Sequence, residues 1–147
     1  MENGAYSGSG VEQNESYTGD VAWQDYEVAV QLEPVMGERH CVNVRIQGAL
    51  CCYAAGLVDG ERVALFKKQE GQYRELASAP FSWRHGEMYT LTATASANGL
   101  TLSVNGQQLL TWADTDAPYL SGQIGLSNGP GCHTRFLRLQ VSPVGAR

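Results

Sequence analysis

The chain has no long apolar run and no cluster of basic residues, and each absence excludes a class of function. Its 147 residues carry a net charge of −5, and Lys67-Lys68 is the only adjacent pair among ten scattered lysines and arginines. Nucleic-acid binding needs a basic surface that neutralises phosphates, so nucleic acid is not an expected partner. The apolar runs fall far short of the ~20 residues of a membrane-spanning helix, so no membrane partner is expected either.

The residue patterns of common catalytic and metal sites are also missing. Glycoside hydrolysis normally uses two carboxylates at a fixed separation, and no run of alternating acids supplies them. The nearest pairs, Asp59 with Glu61 and Asp114 with Asp116, lie in predicted turns or loops, where solvated carboxylates are expected. The three histidines are dispersed and form no recognisable triad, and no C-x-x-C spacing points to zinc. We therefore expect no enzyme activity, no metal and no cofactor.

Four cysteines are present, at positions 41, 51, 52 and 132. An even count permits two disulfides, but Cys51 and Cys52 point to opposite faces of one strand, and Cys41 lies several residues from either in the expected hairpin. Free, mostly buried thiols are the prediction, and they favour a reducing compartment. The N-terminal MENGAYSGSG has no signal-peptide pattern, so we expect a cytoplasmic location, with a secreted parent protein as the alternative.

Two Asn-Gly dipeptides mark the strongest local signal, in the segment Tyr89–Asp116. Asn98-Gly99 and Asn105-Gly106 separate three short runs in which apolar residues alternate with Thr, Ser and Asn. Period-two alternation is typical of half-buried strands, and Asn-Gly tolerates the positive φ angles of two-residue hairpin turns. The segment therefore predicts a three-stranded antiparallel meander.

Similar patterns continue through the rest of the chain. Asp25–Glu33 alternates up to Pro34, which is expected to end that strand, and His40–Gln47 alternates as well. Leu50–Val58 is apolar almost throughout, as expected for a strand covered on both faces. No window shows a helical period, and about ten strands with short turns predict an all-β sandwich or barrel.

The order of short motifs narrows the class. The motifs are WQDYEV at 23–28, VRIQG at 44–48, YAAGL at 53–57, VNGQQLL at 104–110 and SGQIGL at 121–126. Their order resembles that of concanavalin A-like, laminin G-like jelly rolls found beside glycoside hydrolases and in the 3-keto-disaccharide hydrolase-like domain. It is also similar to the β-sandwich appended to some bacterial ADP-ribosylglycohydrolase-type enzymes. The resemblance implies a two-sheet antiparallel jelly-roll sandwich.

The resemblance covers roughly residues 17–142, which sets the expected domain limits. Residues 1–16 are interpreted as a linker or a loosely held first strand, and residues 143–147 as a tail. Relatives often close with a pattern like ARFDNFRV, whose Asp can join a calcium site. Here Leu137 occupies that position within Thr134–Val141, so the resemblance does not carry a metal site to this chain.

The polar side of the strand His40–Gln47 is the predicted ligand-binding face. Alternation places Asn43, Arg45 and Gln47 together, opposite the apolar residues of that strand, with Tyr53 flanking them from the paired strand. A jelly roll has a concave sheet, whose face suits amides and guanidinium donors for sugar hydroxyls or phosphate. The alternative is an ordinary solvated sheet face.

Aromatic side chains are the second device by which proteins bind sugars. Trp83 lies in the loop Pro80–Glu87 and is either a stacking platform for ligand or a cap on the core. Trp23 precedes a strand and is expected to pack in the core, and the alternation of Trp112 with Leu110 favours a core position too. Trp83 therefore joins the four polar residues as a predicted binding residue.

These observations predict a non-catalytic, carbohydrate-binding accessory module of a larger, bacterial hydrolase. The expected ligand is a carbohydrate or an ADP-ribose-like molecule, and the expected partner is the catalytic domain of the parent protein. The alternative is a structural or interaction domain that packs on an ADP-ribosylglycohydrolase-like domain and has no ligand of its own. A stand-alone sugar hydrolase is the third hypothesis, and it lacks the convergent acids that it would need.

Overall fold

A computed structural model describes residues 3–9, 14–18, 23–48, 51–129 and 132–144, the first two ranges by their backbone alone. Every regular element among these residues is a β-strand, and no helix there could cross a membrane. The strands are β1 (Asn3–Ser9), β2 (Asn14–Thr18), β3 (Tyr26–Met36), β4 (Arg39–Ile46), β5 (Cys52–Val58), β6 (Arg62–Gln69), β7 (Gln72–Pro80), β8 (Tyr89–Ser96), β9 (Gly99–Val104), β10 (Gln107–Ala113), β11 (Gln123–Asn128) and β12 (His133–Pro143).

The strands of the described residues form two six-stranded antiparallel sheets. Sheet A has the order β1-β12-β3-β8-β9-β10, and sheet B has the order β2-β11-β4-β5-β6-β7. The two-residue connection Gly37-Glu38 passes from β3 in sheet A to β4 in sheet B, whereas β4 to β7 and β8 to β10 run as simple meanders. The expected two-sheet jelly-roll sandwich is therefore confirmed, with twelve strands rather than about ten.

The first two strands lie within or next to the segment for which the sequence allowed a linker or a loosely held first strand. β1 pairs with β12, and β2 pairs with β11, so each adds an edge strand to one sheet. Strand pairing thus begins before residue 17. The domain limits themselves stay a prediction.

The main core lies between the sheets and follows from the alternation of each strand. Val28 and Leu91 point inward from sheet A, and Val44, Leu57 and Leu65 point inward from sheet B. Their neighbours in sequence point to the other face because successive side chains of a strand alternate. Burial of such side chains away from water stabilises the sandwich.

Sheet B carries a second apolar layer on the face turned away from sheet A, which we call the outer face. Cys41, Ala54, Val58, Ala64 and Phe66 form this buried cluster, and Tyr73 packs against it. All four cysteines are free thiols, and burial raises the pKa of Cys41 to about 12. A strand that is apolar on both faces, as β5 is, belongs in such a doubly covered sheet.

The hairpin turns follow the expected chemistry with one shift in position. Asn105 and Gly106 have φ angles of 51° and 84°, as the two central residues of the predicted turn require. In the preceding turn the positive φ falls on Ala97, at 52°, whereas Gly99 already belongs to β9. Ala97 has a side chain that disfavours this conformation, so its backbone depends on contacts from elsewhere.

Candidate functional site

The predicted binding face of β4 is interrupted at Arg45. Its φ is 52°, and the pairing of β4 with β11 shifts register between Gln123 and Gly125, opposite Ile46 and Asn43. Such a bulge inserts an extra residue and re-aims the side chains that follow. Arg45 therefore does not continue the face of Asn43, and the expected row of three polar side chains does not form.

The guanidinium of Arg45 is fully buried and engaged by the protein itself. Its Nε and Nη2 donate to the carbonyl of Gln24 at 3.1 and 2.8 Å, and Nη1 donates to the carbonyls of Ala97 and Tyr119. Nη2 also pairs with Oδ1 of Asp25 at 3.1 Å. Burial lowers the pKa of Arg45, while Asp25 opposes this effect, and guanidinium keeps its charge. Arg45 thus holds three chain segments together.

Tyr53 lies in a buried polar cluster near the same end of the sandwich. Its hydroxyl donates to Oδ2 of Asp114 at 2.6 Å, and Nζ of Lys67 lies 2.7 Å from the same oxygen. Burial and the bond to Asp114 raise the pKa of Tyr53. Burial would raise the pKa of Asp114, but its hydrogen bonds with Lys67 and Tyr53 lower it on balance. Asp114 is therefore a buried anion and not the solvated loop carboxylate expected from sequence.

Trp83 is a cap on the core, the second of its two expected roles. Only 5% of its surface is exposed, and its Nε1 donates to the carbonyl of Val58 at 3.2 Å. The rings of His40 and His85 meet it edge-on at 5.4 Å each. Both histidines donate from Nε2 to the carbonyl of Gly37, and burial lowers the pKa of His40 to about 4. A ligand could not stack on this indole.

Asn43 and Gln47 occupy different environments. Asn43 is buried beneath the outer face, where its Oδ1 accepts from Oγ of Ser127 at 2.6 Å and its Nδ2 lies 3.4 Å from the hydroxyl of Tyr73. Gln47 is exposed and donates from Nε2 to the carbonyl of Ser121. The structure thus does not bring the predicted residues into one open site, and ligand binding by Gln47 stays a prediction.

The two other tryptophans were expected in the core, and this expectation is wrong. Trp23 and Trp112 each expose 37% of their surface. Trp112 lies on β10, the last strand in the order of sheet A, and it pairs there with Leu100 of β9. Trp23 precedes β3 and contacts Tyr26 edge-on at 6.1 Å.

An open groove of about 390 Å³ lies at the outer face of sheet B, at the end opposite to Arg45. The turn before β4, the end of β5 and the start of β6 form its walls. The charged and aromatic residues that line it are Glu38, Arg39, Asp59, Arg62, Phe66 and Glu75. We call it the outer-face groove.

Arg39 is the central side chain of this groove. Its guanidinium carbon lies 5.0 Å from the ring centre of Phe66 and 5.5 Å from that of Tyr73, distances typical of cation–π contacts. The two rings meet edge-on at 6.2 Å, and Nζ of Lys68 lies 5.1 Å from the centre of the Tyr73 ring. Among the described residues, the guanidinium of Arg39 has no hydrogen-bond or ion-pair partner. Its donors are thus held in place and available to a ligand.

Carboxylates form the other side of the groove. Arg62 donates to Glu75 at 2.6 Å and to Asp59 at 2.9 Å, and these bonds raise its pKa. Both carboxylates keep oxygen atoms toward solvent, with 38% of the Glu75 side chain and 55% of that of Asp59 exposed. The groove therefore combines planar donors and acceptors over an aromatic floor, which suits recognition of hydroxyl groups.

Sequence reasoning missed Arg39, Phe66, Tyr73 and Glu75. A signal was present on β6 and β7, where Phe66 pairs with Glu75 and Lys68 pairs with Tyr73, on the face opposite to the core residue Leu65. Large aromatic side chains on the non-core face of two adjacent strands could have marked this surface. In residues 23–48, 51–129 and 132–144, no three His, Cys, Asp or Glu side chains are grouped as a metal site would need.

Comparison with known proteins shows the fold. No family model and no curated protein sequence matches the chain. Among solved structures, the carbohydrate-binding module CBM66 from Bacillus subtilis has a TM-score of 0.74 at 14% identity, covering 97% of this chain and 84% of that chain. The galectin LEC-6 of Caenorhabditis elegans has a TM-score of 0.61 at 13% identity, and the match covers 92% of this chain and 95% of that chain.

A β-1,3-1,4-glucanase (lichenase) from a mouse hindgut metagenome is also similar, with a TM-score of 0.67 at 13% identity over 88% of this chain and 71% of that chain. These matches support the expected concanavalin A-like jelly-roll fold. They do not support the expected link to ADP-ribosylglycohydrolase-type enzymes. At such low identity they establish the architecture, a two-sheet jelly-roll sandwich of the kind found in carbohydrate-binding modules, galectins and glucanases.

Proposed function

We propose that this protein is a non-catalytic carbohydrate-binding module whose ligand occupies the outer-face groove. The observation that carries the proposal is the guanidinium of Arg39, which lies over Phe66 and Tyr73 and has no polar partner among the described residues. A guanidinium that is held against two aromatic rings presents its planar N–H donors in a fixed orientation, ready for acceptors on a ligand. Sugar hydroxyls supply such acceptors, and the structural similarity to carbohydrate-binding proteins supports the same class of ligand.

The arrangement of charges favours a hydroxyl-rich ligand that is not strongly anionic. The lining combines Arg39 as a donor with the carboxylates of Glu75, Asp59 and Glu38 as acceptors. Adjacent hydroxyls of a sugar ring can accept from the guanidinium and donate to a carboxylate at the same time. The three carboxylates outnumber Arg39 and Arg62, so the diphosphate of an ADP-ribose-like ligand would be repelled. A neutral sugar suits the groove better.

The contacts of these carboxylates support binding rather than catalysis. Glu75 and Asp59 both pair with the guanidinium of Arg62, which orients their oxygen atoms as hydrogen-bond acceptors. Glycoside hydrolysis needs one carboxyl group that donates a proton and a second at a fixed separation. We further infer, from the sequence resemblance alone, that the module serves a catalytic domain of a larger hydrolase.

Calorimetric titration with oligosaccharides of glucose, galactose, mannose, xylose and fructose tests the proposal. We expect one of these sugars to bind, and Arg39→Ala to weaken that binding at least about tenfold, as loss of one or two ligand hydrogen bonds would. The matched control is Arg74→Ala, because Arg74 lies on β7, is exposed and is 3.9 Å from Asp116 in a weak surface pair. Equal binding by the wild type and a folded Arg39→Ala variant would disprove the proposed site.

An interaction domain is the second candidate, and one surface feature favours it. Val35 and Met36 at the end of β3 expose 41% and 57% of their surface, and Met88 exposes 46%. The amide of Gly86 donates to the carbonyl of Pro34, which holds the loop of Met88 next to this strand end. Such neighbouring apolar side chains are typical of a surface that packs on another domain. If no sugar binds in the calorimetric titration, the interaction domain becomes the favoured function.

A further inference from the structure

A second cleft lies near the end of the sandwich where Arg45 is buried. Its volume is about 270 Å³, and it is lined by the start of β3 with the residues before it and by the end of β12: Trp23, Gln24, Asp25, Tyr26, Val141 and Pro143. The outer-face groove begins at Arg39, six residues before Arg45 on β4, so the two sites are roughly 20 Å apart along that strand. We call this second site the Trp23 cleft.

Trp23 forms one wall and is held in a fixed orientation. Its ring lies edge-on to that of Tyr26 at 6.1 Å, and Tyr26 is 3% exposed. The hydroxyl of Tyr26 accepts from the amide of Arg45 at 2.6 Å and donates to the carbonyl of Gly122. A partly exposed indole on such a fixed support offers a rigid apolar face at low cost in conformational entropy.

Polar groups that can still form hydrogen bonds lie beside this indole. Oδ1 of Asp25 accepts from Arg45 and from the amide of Ala97, and no residue in the described ranges donates a hydrogen bond to its Oδ2. The Asp25 side chain is 44% exposed. The side-chain amide of Gln24 and Nε1 of Trp23 likewise have no hydrogen-bond partner among the described residues. A donor, an acceptor and an amide that does both thus border one apolar wall.

We propose that the Trp23 cleft is a second, independent sugar-binding site, specific for a neutral pyranose ring. The C–H face of the sugar stacks on Trp23, and its hydroxyls donate to Oδ2 of Asp25 and exchange hydrogen bonds with Gln24. Among the described residues, Asp25 is the one charged side chain that lines the cleft, so a uronic acid or a phosphorylated sugar should bind less well than a neutral ring. The buried network of Arg45 does not touch the sugar; it positions Gln24 and Asp25 through their carbonyl and carboxylate.

Trp112 is as exposed as Trp23 but does not line the Trp23 cleft, so the exposure of a tryptophan alone does not define the proposed site. It exposes the same 37% of its surface and lies on the edge strand β10. This makes Trp112 a control within the same molecule, and the buried Trp83 is a second one. The three indole N–H groups can be observed separately by two-dimensional ¹H–¹⁵N NMR and assigned from Trp→Phe variants.

The experiment titrates the Arg39→Ala protein, in which the outer-face groove is impaired, with the methyl glycosides of glucose, galactose, mannose and xylose and with glucuronate. We expect the Trp23 indole signal to shift saturably with at least one neutral glycoside and more weakly with glucuronate, while the signals of Trp112 and Trp83 stay in place. Gln24→Ala removes the side-chain amide and keeps the carbonyl that Arg45 binds, and it should weaken this binding at least about fivefold.

Two results would overturn the proposal. One is a Trp23 signal that stays unchanged by every neutral glycoside, and the other is a shift of Trp23 and Trp112 by the same amount at the same concentrations. A Trp23→Ala variant that loses the response could be unfolded, so its near-ultraviolet circular dichroism is compared with that of Trp112→Ala. Because the groove is impaired in the protein used, failure here leaves the calorimetric test of Arg39 unaffected, and the reverse also holds.

Discussion

At the scale of single residues, the buried side chain of Arg45 connects several distant segments of the chain. Arg45 has a positive φ, lies fully buried, and offers its donors to three carbonyls and one carboxylate. One of these carbonyls belongs to Ala97, whose own φ is 52°. Arg45 therefore stabilises a strained turn as well as the segment before β3. Its role is structural, and it supports the Trp23 cleft from beneath.

Replacing Arg45 by methionine tests this role. Arg45→Met keeps much of the volume but removes the donors that the carbonyls of Gln24, Ala97 and Tyr119 share, so we expect the free energy of unfolding to fall by about 2–3 kcal/mol. Urea denaturation measures the change. The control is Arg135→Ala, since Arg135 is 45% exposed in its pair with Glu33 and its loss should cost less than about 1 kcal/mol. Equal costs for the two variants would contradict the structural role.

At the scale of elements, the loop after β10 is tied to sheet B by a buried ion pair. Lys67 on β6 binds Oδ2 of Asp114 at 2.7 Å and donates to the carbonyls of Asp116 and Ala117. The ring of Tyr119 lies 5.0 Å from the same ammonium group. A buried pair of this kind is costly to break on one side, because the remaining charge stays buried without a partner.

Asp114→Asn should therefore lower the free energy of unfolding by about 3 kcal/mol at neutral pH. The pKa of Asp114 is lowered in the folded protein, so its stabilising effect is fully present above the ordinary carboxyl pKa of about 4 and is lost as the pH falls through the lower folded value. Denaturation curves between neutral pH and pH 3 measure both effects. The variant should lose less stability than the wild type over the acid range, and a parallel decline of the two would contradict the assignment.

Elements were predicted from sequence more reliably than the site. The alternation of β8 and β9 and the turn at Asn105-Gly106 are local patterns, and the structure confirms both. Pro34 was expected to end β3, but the strand continues to Met36, because pairing with β8 stops at Leu32 and the missing amide of Pro34 costs no hydrogen bond there.

The site could not be derived in the same way. The bulge at Arg45 depends on the pairing of β4 with β11, a strand that lies far away in the sequence. One inserted residue reverses the face of the side chains that follow it. The outer-face groove likewise depends on Arg39 meeting Phe66 and Tyr73 from two other strands. Such contacts between distant segments leave no period in the sequence. Only Gln47, among the five predicted residues, is exposed.

At the scale of the whole molecule, the two proposed sites lie at opposite ends of β4. Arg39 marks the outer-face groove, and Arg45 supports the Trp23 cleft, with roughly 20 Å of strand between them. Because no side chain of the described residues lines both sites, substitutions in one should not alter the intrinsic affinity of the other. Two weak sites on one rigid sandwich can still bind a polymer tightly, since the second contact forms within the same complex.

Retention on a polysaccharide distinguishes this arrangement from a single site. For a polymer of a sugar that both sites bind, wild-type protein should bind on the order of 100-fold more tightly than either Arg39→Ala or Trp23→Ala, because each variant loses the gain from simultaneous attachment. Affinity electrophoresis in gels containing the polymer measures these differences. The double variant should migrate as it does without polymer, whereas Trp112→Ala should match the wild type. If Arg39→Ala and the wild type are retarded equally, the two sites do not hold one chain together, and the spacing along β4 has no role in polymer binding.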